Sequence, residues 1–163
     1  MKNTKIYKYQ KTTAKNSDSE IIKSVKQYLG DEDAEISVTR DEYGKPYVYG
    51  ADGVFVSVTH DKDICLVAVS DREVGIDTER VDRKIKNPAA LAKRYFCDDE
   101  IAFLGENPSS LEFTDMWVKK EALAKLIGKG VPCMKDKSIF SDEIRLEGMD
   151  FCDGYILYLA FYK

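Results

Sequence analysis

The chain is poor in the residues that most often announce a site: it carries one histidine, one tryptophan and four prolines in 163 residues. Its longest apolar stretches, 64–69 and 155–162, are strand-sized and far short of the ~20 residues that cross a bilayer, so no membrane span is expected. The start, 1–10, bears lysines with no apolar stretch behind them, and the sequence is read as cytoplasmic. Four cysteines, Cys65, Cys97, Cys133 and Cys152, form no CxxC pair and have no nearby histidine. Zinc and a disulfide framework are therefore not expected, and the cysteines read as buried apolar fillers. With 25 basic against 29 acidic residues, a net charge of −4 argues against broad nucleic-acid binding. Any anionic ligand must be held locally.

What is present reads as one folded, soluble unit: 44% apolar and 33% charged residues, at a length that buries roughly two thirds of the unfolded surface. Ser17 and Glu20 stand at capping-box spacing before Ile21, Val25, Tyr28 and Leu29, and Gly30 follows, which predicts a first helix. Residues 34–40 and 45–50 around the turn 41–44 predict a hairpin. In 54–60, Val54, Val56 and Val58 alternate with Phe55, Ser57 and Thr59, so one face of that strand is core. Residues 64–70 are apolar on both faces and suit a central strand; after the turn 71–73 another strand starts at 74–79. Helices follow, one capped by Asn87 with Pro88 in its first turn, one capped by Asp98, and a long one over 111–127 closed by the glycines at 128 and 130. The segments 143–148 and 154–163 read as a final hairpin.

Chemistry concentrates at three places. Asp77 and Glu79, two apart on a predicted strand, project to the same face and can share one hard cation such as magnesium, although the pair taken alone reads more readily as an exposed acidic strand edge. On the long helix, Phe113, Met116, Trp117, Leu123, Ala124 and Ile127 form an apolar stripe with Lys120 inside it. A lysine so placed either snorkels outward or needs an anionic partner. Beside the stripe Trp117, Glu121 and Lys125 stand one turn apart, as a surface ion pair would also do. His60 ends a strand where a loop begins; next to Thr59 it suits a hydrogen bond to a phosphate or ribose oxygen, or a purely structural one.

The segments GKPYV (44–48), VSVTHDKD (56–63), VGIDTERV (74–81) and WVKKEALAKLIGKG (117–130) occur in the order of the 4'-phosphopantetheinyl transferase superfamily. The chain resembles that family, most of all its surfactin-synthetase-activating type, over roughly residues 36 to 132. The resemblance implies an α+β fold of two pseudo-twofold-related subdomains, each a small antiparallel sheet with packed helices. The two would form one domain over 1–163, with a shortened N-terminal subdomain of about 1–70 and a C-terminal one of about 71–163. It implies transfer of the phosphopantetheine arm of coenzyme A to a serine of an apo acyl- or peptidyl-carrier protein, with release of adenosine 3',5'-bisphosphate. The carrier would belong to fatty-acid, polyketide or nonribosomal-peptide synthesis. By similarity, Asp77, Glu79 and Glu121 would hold magnesium, with Glu121, directly or through a bound water, taking the serine proton and Lys125 stabilising the transferred phosphoryl group. Lys45, Thr59 and His60 would hold the nucleotide end of coenzyme A, and Lys120 would be an added phosphate-binding or positioning candidate.

Arg80, Arg83, Lys84, Lys86, Lys93 and Arg94 follow the acidic pair and are candidates for docking the carrier. In larger relatives the N-terminal region carries basic residues for the coenzyme A phosphates, for which only the lysines from Lys2 to Lys15 stand here. A monomer is expected, with a dimer as the other arrangement, and no nucleic-acid or membrane partner. The shortened N-terminal half also suits a module that binds coenzyme A or a carrier without turnover. An unrelated metal-dependent phosphohydrolase would keep the carboxylates but not the order of the segments.

Overall fold

In the computed structural model, which describes residues 4–10 and 17–163, each predicted strand and helix finds its counterpart. The order is β1 (Thr4–Gln10), α1 (Asp18–Leu29), β2 (Ser37–Arg40), β3 (Pro46–Tyr49), β4 (Phe55–His60), β5 (Ile64–Ser70) and β6 (Gly75–Arg80). Then come α2 (Pro88–Tyr95), α3 (Asp98–Leu104), α4 (Ser110–Ile127), a 3-10 turn at Val131–Cys133, β7 (Ile144–Gly148) and β8 (Tyr155–Tyr162). All pairing is antiparallel, in sheets of order β1-β5-β4, β2-β3 and β6-β8-β7. In both the first and the third sheet helical structure follows the first strand and the last strand in sequence takes the centre; one helix and the β2–β3 hairpin intervene in the first, three helices and the 3-10 turn in the third. This is a mixed α+β architecture of small antiparallel sheets and helices, as expected. Among the described residues no helix is long and apolar enough to cross a membrane.

Strand β5 is buried along its whole length, and its two faces serve different layers. Cys65, Val67 and Val69 pack with Ile21 and Val25 of α1. Ile64, Leu66 and Ala68 pack with Ile76 of β6 and Leu157, Leu159 and Phe161 of β8, so the two sheets share one apolar layer. A third cluster gathers Phe96, Phe113, Met116, Leu123 and Leu126 around α4.

Several expectations need correction. Strand β1, built on the lysine-rich start, was not expected; it pairs with β5 through Thr4–Gln10, and its Lys5 and Lys8 point outward, exposed. Lys2, Lys11 and Lys15 lie outside the described residues. The capping box on α1 does not form, because the Ser17 hydroxyl is 2.5 Å from His60 Nε2 while Glu20 accepts from the Ser19 hydroxyl. Helix α3 is capped by Cys97 instead of Asp98, with Glu100 reaching back to the Cys97 N–H at 2.8 Å. The polar face of β4 is not solvated: Ser57 and Thr59 are buried against β6, whereas Phe55 is exposed.

Helix α4 is buried more widely than one stripe, with Thr114, Val118 and Ala122 also inside. It packs on β6 and β8 and on α2. The approach to β6 is so close that a Cβ on Gly75 would lie 2.0 Å from the Ala122 carbonyl oxygen and 2.6 Å from the Leu126 nitrogen. Only glycine allows strand and helix to meet there.

Candidate functional site

Two elements supply the site, and the Gly75 contact sets their spacing. Alternation on β6 puts Asp77 and Glu79 on one face, and the 3.6-residue period of α4 puts Glu121 and Lys125 one turn apart. The packing of β6 on α4 brings the pairs together: Lys125 Nζ donates to Asp77 Oδ1 at 2.7 Å. Strand β4 fixes the same carboxylate from the other side, where the Thr59 hydroxyl donates to Asp77 Oδ1 at 2.9 Å. One residue along, the Ile76 N–H donates to the Ser57 hydroxyl at 3.1 Å, so the edge strands β4 and β6 are stitched by side chains instead of a backbone ladder. Asp77 is 6% exposed, and its Oδ2 is buried with no hydrogen-bond partner among the described residues.

Glu79 pairs with Arg83 at 2.5 Å. Burial pushes the Glu79 carboxyl above its ordinary range against the pull of Arg83, and Asp77 and Asp61 add to the rise. Glu121 is pushed up to about 7, first by burial and then by the charge of Asp77; Glu79 adds to the rise, and Lys125 and Arg83 oppose it. The three carboxylates are therefore near enough to repel one another. Among the described residues they do not close into a ready-made cage of three ligands. Their donors are all carboxylate oxygens, and one of them, Asp77 Oδ2, is buried and unspent, which suits a hard divalent cation that keeps water or phosphate oxygens in its shell.

A groove of about 330 Å3 runs beside the carboxylates, lined by Lys45, Pro46, Val58, Glu121, Lys125 and Val131 among others. Lys45 crosses it to donate to the Leu126 carbonyl at 2.8 Å, at the open C-terminal end of α4. Burial lowers the pKa of this lysine. The position is favourable for a cation because the helix dipole is negative there.

Of the residues expected at the site, Asp77, Glu79, Glu121, Lys125 and Thr59 come together on β6, α4 and β4, and Lys45, just before β3, lines the adjoining groove with Glu121 and Lys125. Thr59 points at Asp77 and is 2% exposed, so it holds the carboxylate and does not face outward towards a nucleotide. His60 is exposed at the end of β4 and bonded to Ser17. Lys120 is not at the site. At 1% exposure it meets Glu100, at 0%, across 3.0 Å, donates to the Lys137 carbonyl at 2.8 Å and lies 3.6 Å from Cys97 Sγ. Its neighbours satisfy the charge, so it joins α4 to α3 and the following loop instead of binding a phosphate. Among the basic residues that follow the acidic pair, Arg80 pairs with Asp82 and Arg83 with Glu79, while Lys84, Lys86, Lys93 and Arg94 are exposed. Asp61, not singled out in the sequence, faces the same area: its Oδ2 is buried without a hydrogen-bond partner among the described residues, and a cavity joins it to Glu79 and Arg83. Only its position just after the histidine strand hinted at it.

The family model of the 4'-phosphopantetheinyl transferase superfamily matches residues 73–150, the stretch that holds Asp77, Glu79, Glu121 and Lys125. The chain belongs to this superfamily. It is 31% identical over 115 residues to a 4'-phosphopantetheinyl transferase of Aneurinibacillus migulanus, covering 68% of this chain and 46% of that protein. A 4'-phosphopantetheinyl transferase of Bacillus pumilus is 35% identical over 91 residues, 54% of this chain and 38% of its own. One of Bacillus subtilis is 30% identical over 128 residues, 75% and 55%. The chain thus spans about half the length of the curated 4'-phosphopantetheinyl transferases it matches.

Proposed function

We propose that the chain transfers the 4'-phosphopantetheine arm of coenzyme A to a serine of an apo acyl- or peptidyl-carrier protein, in the presence of magnesium, and releases adenosine 3',5'-bisphosphate. The observation that carries the reading is the meeting of Asp77 and Glu79 from β6 with Glu121 and Lys125 from α4 beside a groove large enough for an extended arm. Asp77, Glu79 and Glu121 are the residues that would hold magnesium, and the unspent Asp77 Oδ2 supports a cation there. When bound, the ion neutralises charge on the pyrophosphate of coenzyme A and on the phosphoryl group in transfer.

The chain's own residues account for the rest. Glu121, held near neutrality in its proton affinity, accepts the proton of the carrier serine as its oxygen bonds to phosphorus. The bond from that phosphorus to the bridging pyrophosphate oxygen breaks, and the electron pair leaves with adenosine 3',5'-bisphosphate. Lys125, already poised on Asp77, supplies positive charge to the phosphoryl oxygens. Lys45, which lines the groove just before β3, and His60, exposed at the end of β4, serve the nucleotide end of the donor.

Incubation with coenzyme A, magnesium and a panel of apo carriers, followed by intact mass measurement, should show gain of one phosphopantetheine arm. If no carrier gains mass while a transferase from a larger relative modifies the same panel, the reading fails. A second reading, binding of coenzyme A or a carrier without turnover, has one observation in its favour: Asp77 Oδ1 is already neutralised by Lys125. Calorimetry with magnesium-dependent binding but no mass gain would select it.

A further inference from the structure

The candidate site lies where edge strand β4 of the first sheet meets edge strand β6 of the third. Each of those sheets has a second edge, β1 and β7, and these two line a different cavity of about 470 Å3 together with β8 and the β5–β6 turn. Two arginines reach it. The guanidinium carbon of Arg72 stands 4.0 Å from the ring centre of Phe161, and its Nε–H is buried with no hydrogen-bond partner among the described residues. Arg145 Nη2 is 2.6 Å from Glu147 Oε1, and Arg72 Nη2 is 3.9 Å from the same oxygen. Two guanidinium groups thus face one carboxylate oxygen, itself buried without a hydrogen-bond partner among the described residues, so the charged side chains described in the lining sum to one positive charge. The rest of the lining is mostly apolar: Ile6, Leu159 and Phe161 inside, with Met149 and Phe151 at the exposed rim.

We propose that this cavity binds a small organic monoanion, a carboxylate carried on an aliphatic or aryl body. A guanidinium fork matches a carboxylate in shape, and one carboxylate cancels the one excess charge. A phosphate dianion would overshoot that balance, and a neutral ligand would leave it standing. The apolar wall takes the body of the ligand, and the volume is in the range of small-molecule sites. None of this depends on the transferase reading, since no residue of the cavity belongs to the carboxylate cluster or its groove.

The test is titration of the whole chain with octanoate and with octanamide, its uncharged counterpart, read by backbone amide chemical shifts. Octanoate should shift the amides of Met149, Phe151 and Leu159 saturably and bind about tenfold or more tighter than octanamide. Arg145→Glu, at a side chain 56% exposed, should weaken octanoate by a similar factor. Met149→Trp, which fills the cavity from its rim, should block it. If Arg145→Glu fails to fold, Met149→Trp decides alone. Equal affinity for the two probes, no saturable shift, shifts centred on Asp77 and Glu121, or unchanged affinity in a folded variant would each overturn the proposal.

Discussion

Replacing Lys120 by methionine separates a structural lysine from a phosphate-binding one. The wild-type ammonium is 1% exposed, 3.0 Å from a Glu100 carboxylate that is itself fully buried. Methionine fills nearly the same space but leaves that carboxylate without its cation. Breaking a buried pair from one side costs about 3–5 kcal/mol. Glu100 keeps two backbone donors, Ile139 N–H at 2.7 Å and Cys97 N–H at 2.8 Å, which places the expected loss at the lower end, about 3 kcal/mol. For a chain of this size that corresponds to a fall in Tm of about 6–12 °C. Because the partner charge is the cause, Lys120→Met combined with Glu100→Gln should lose clearly less than the sum of the two single changes. Urea denaturation of the four proteins completes the cycle. Below the melting range, the KM for coenzyme A should stay at the wild-type value in a carrier-loading assay. A loss under about 1 kcal/mol, strict additivity, or a large rise in KM at unchanged Tm would refute the assignment and return Lys120 to the phosphates.

Gly75→Ala should be among the most destabilising single-methyl changes, because the added carbon meets backbone atoms of α4 that cannot rotate away. Thermal melts should show it, and retention of the wild-type Tm would mean that α4 and β6 are less tightly joined than described. Asp77→Asn and Glu121→Gln should each lower the carrier-loading rate by about two orders of magnitude or more, with folding intact by circular dichroism; near-normal rates in both would remove the catalytic assignment. The raised pKa of Glu121 makes a signed pH prediction. The native state holds a proton that the unfolded chain releases near 4.5, so this contribution to stability is fully present below about 4.5 and is lost as pH rises through about 7. The loss is on the order of 3 kcal/mol. Stability–pH profiles of the metal-free wild type and Glu121→Gln should diverge over that window, the variant being flatter, and added magnesium should restore the wild type most at the alkaline end. Parallel profiles would show that Glu121 is not buried among like charges.

Local rules reached most of the secondary structure. Asn87 with Pro88 starts α2 as their chemistry dictates, Gly30 and Gly128 close α1 and α4 in the left-handed conformation, and β5 is the continuous apolar run of a central strand. Where a side chain had a distant competitor, the same rules missed: Ser17 turned to His60 instead of its own helix, and the Ser57–Thr59 face of β4 was covered by a strand from the other sheet.

By itself the amino-acid order determined which residue types could carry chemistry and on which element face each would lie, because periods of 2 and 3.6 are properties of the local backbone. The acidic pair on β6 and the Glu121–Lys125 turn on α4 were legible on that basis. Tertiary structure decided which of those faces meet. The absence of a Cβ at Gly75 lets α4 come down on β6 so that Lys125 reaches Asp77, while Lys120, five residues earlier on the same helix, turns to the opposite layer and finds Glu100. A charge on a helix is assigned to a site or to the core by what packs against it, and that depends on contacts between segments far apart in the chain.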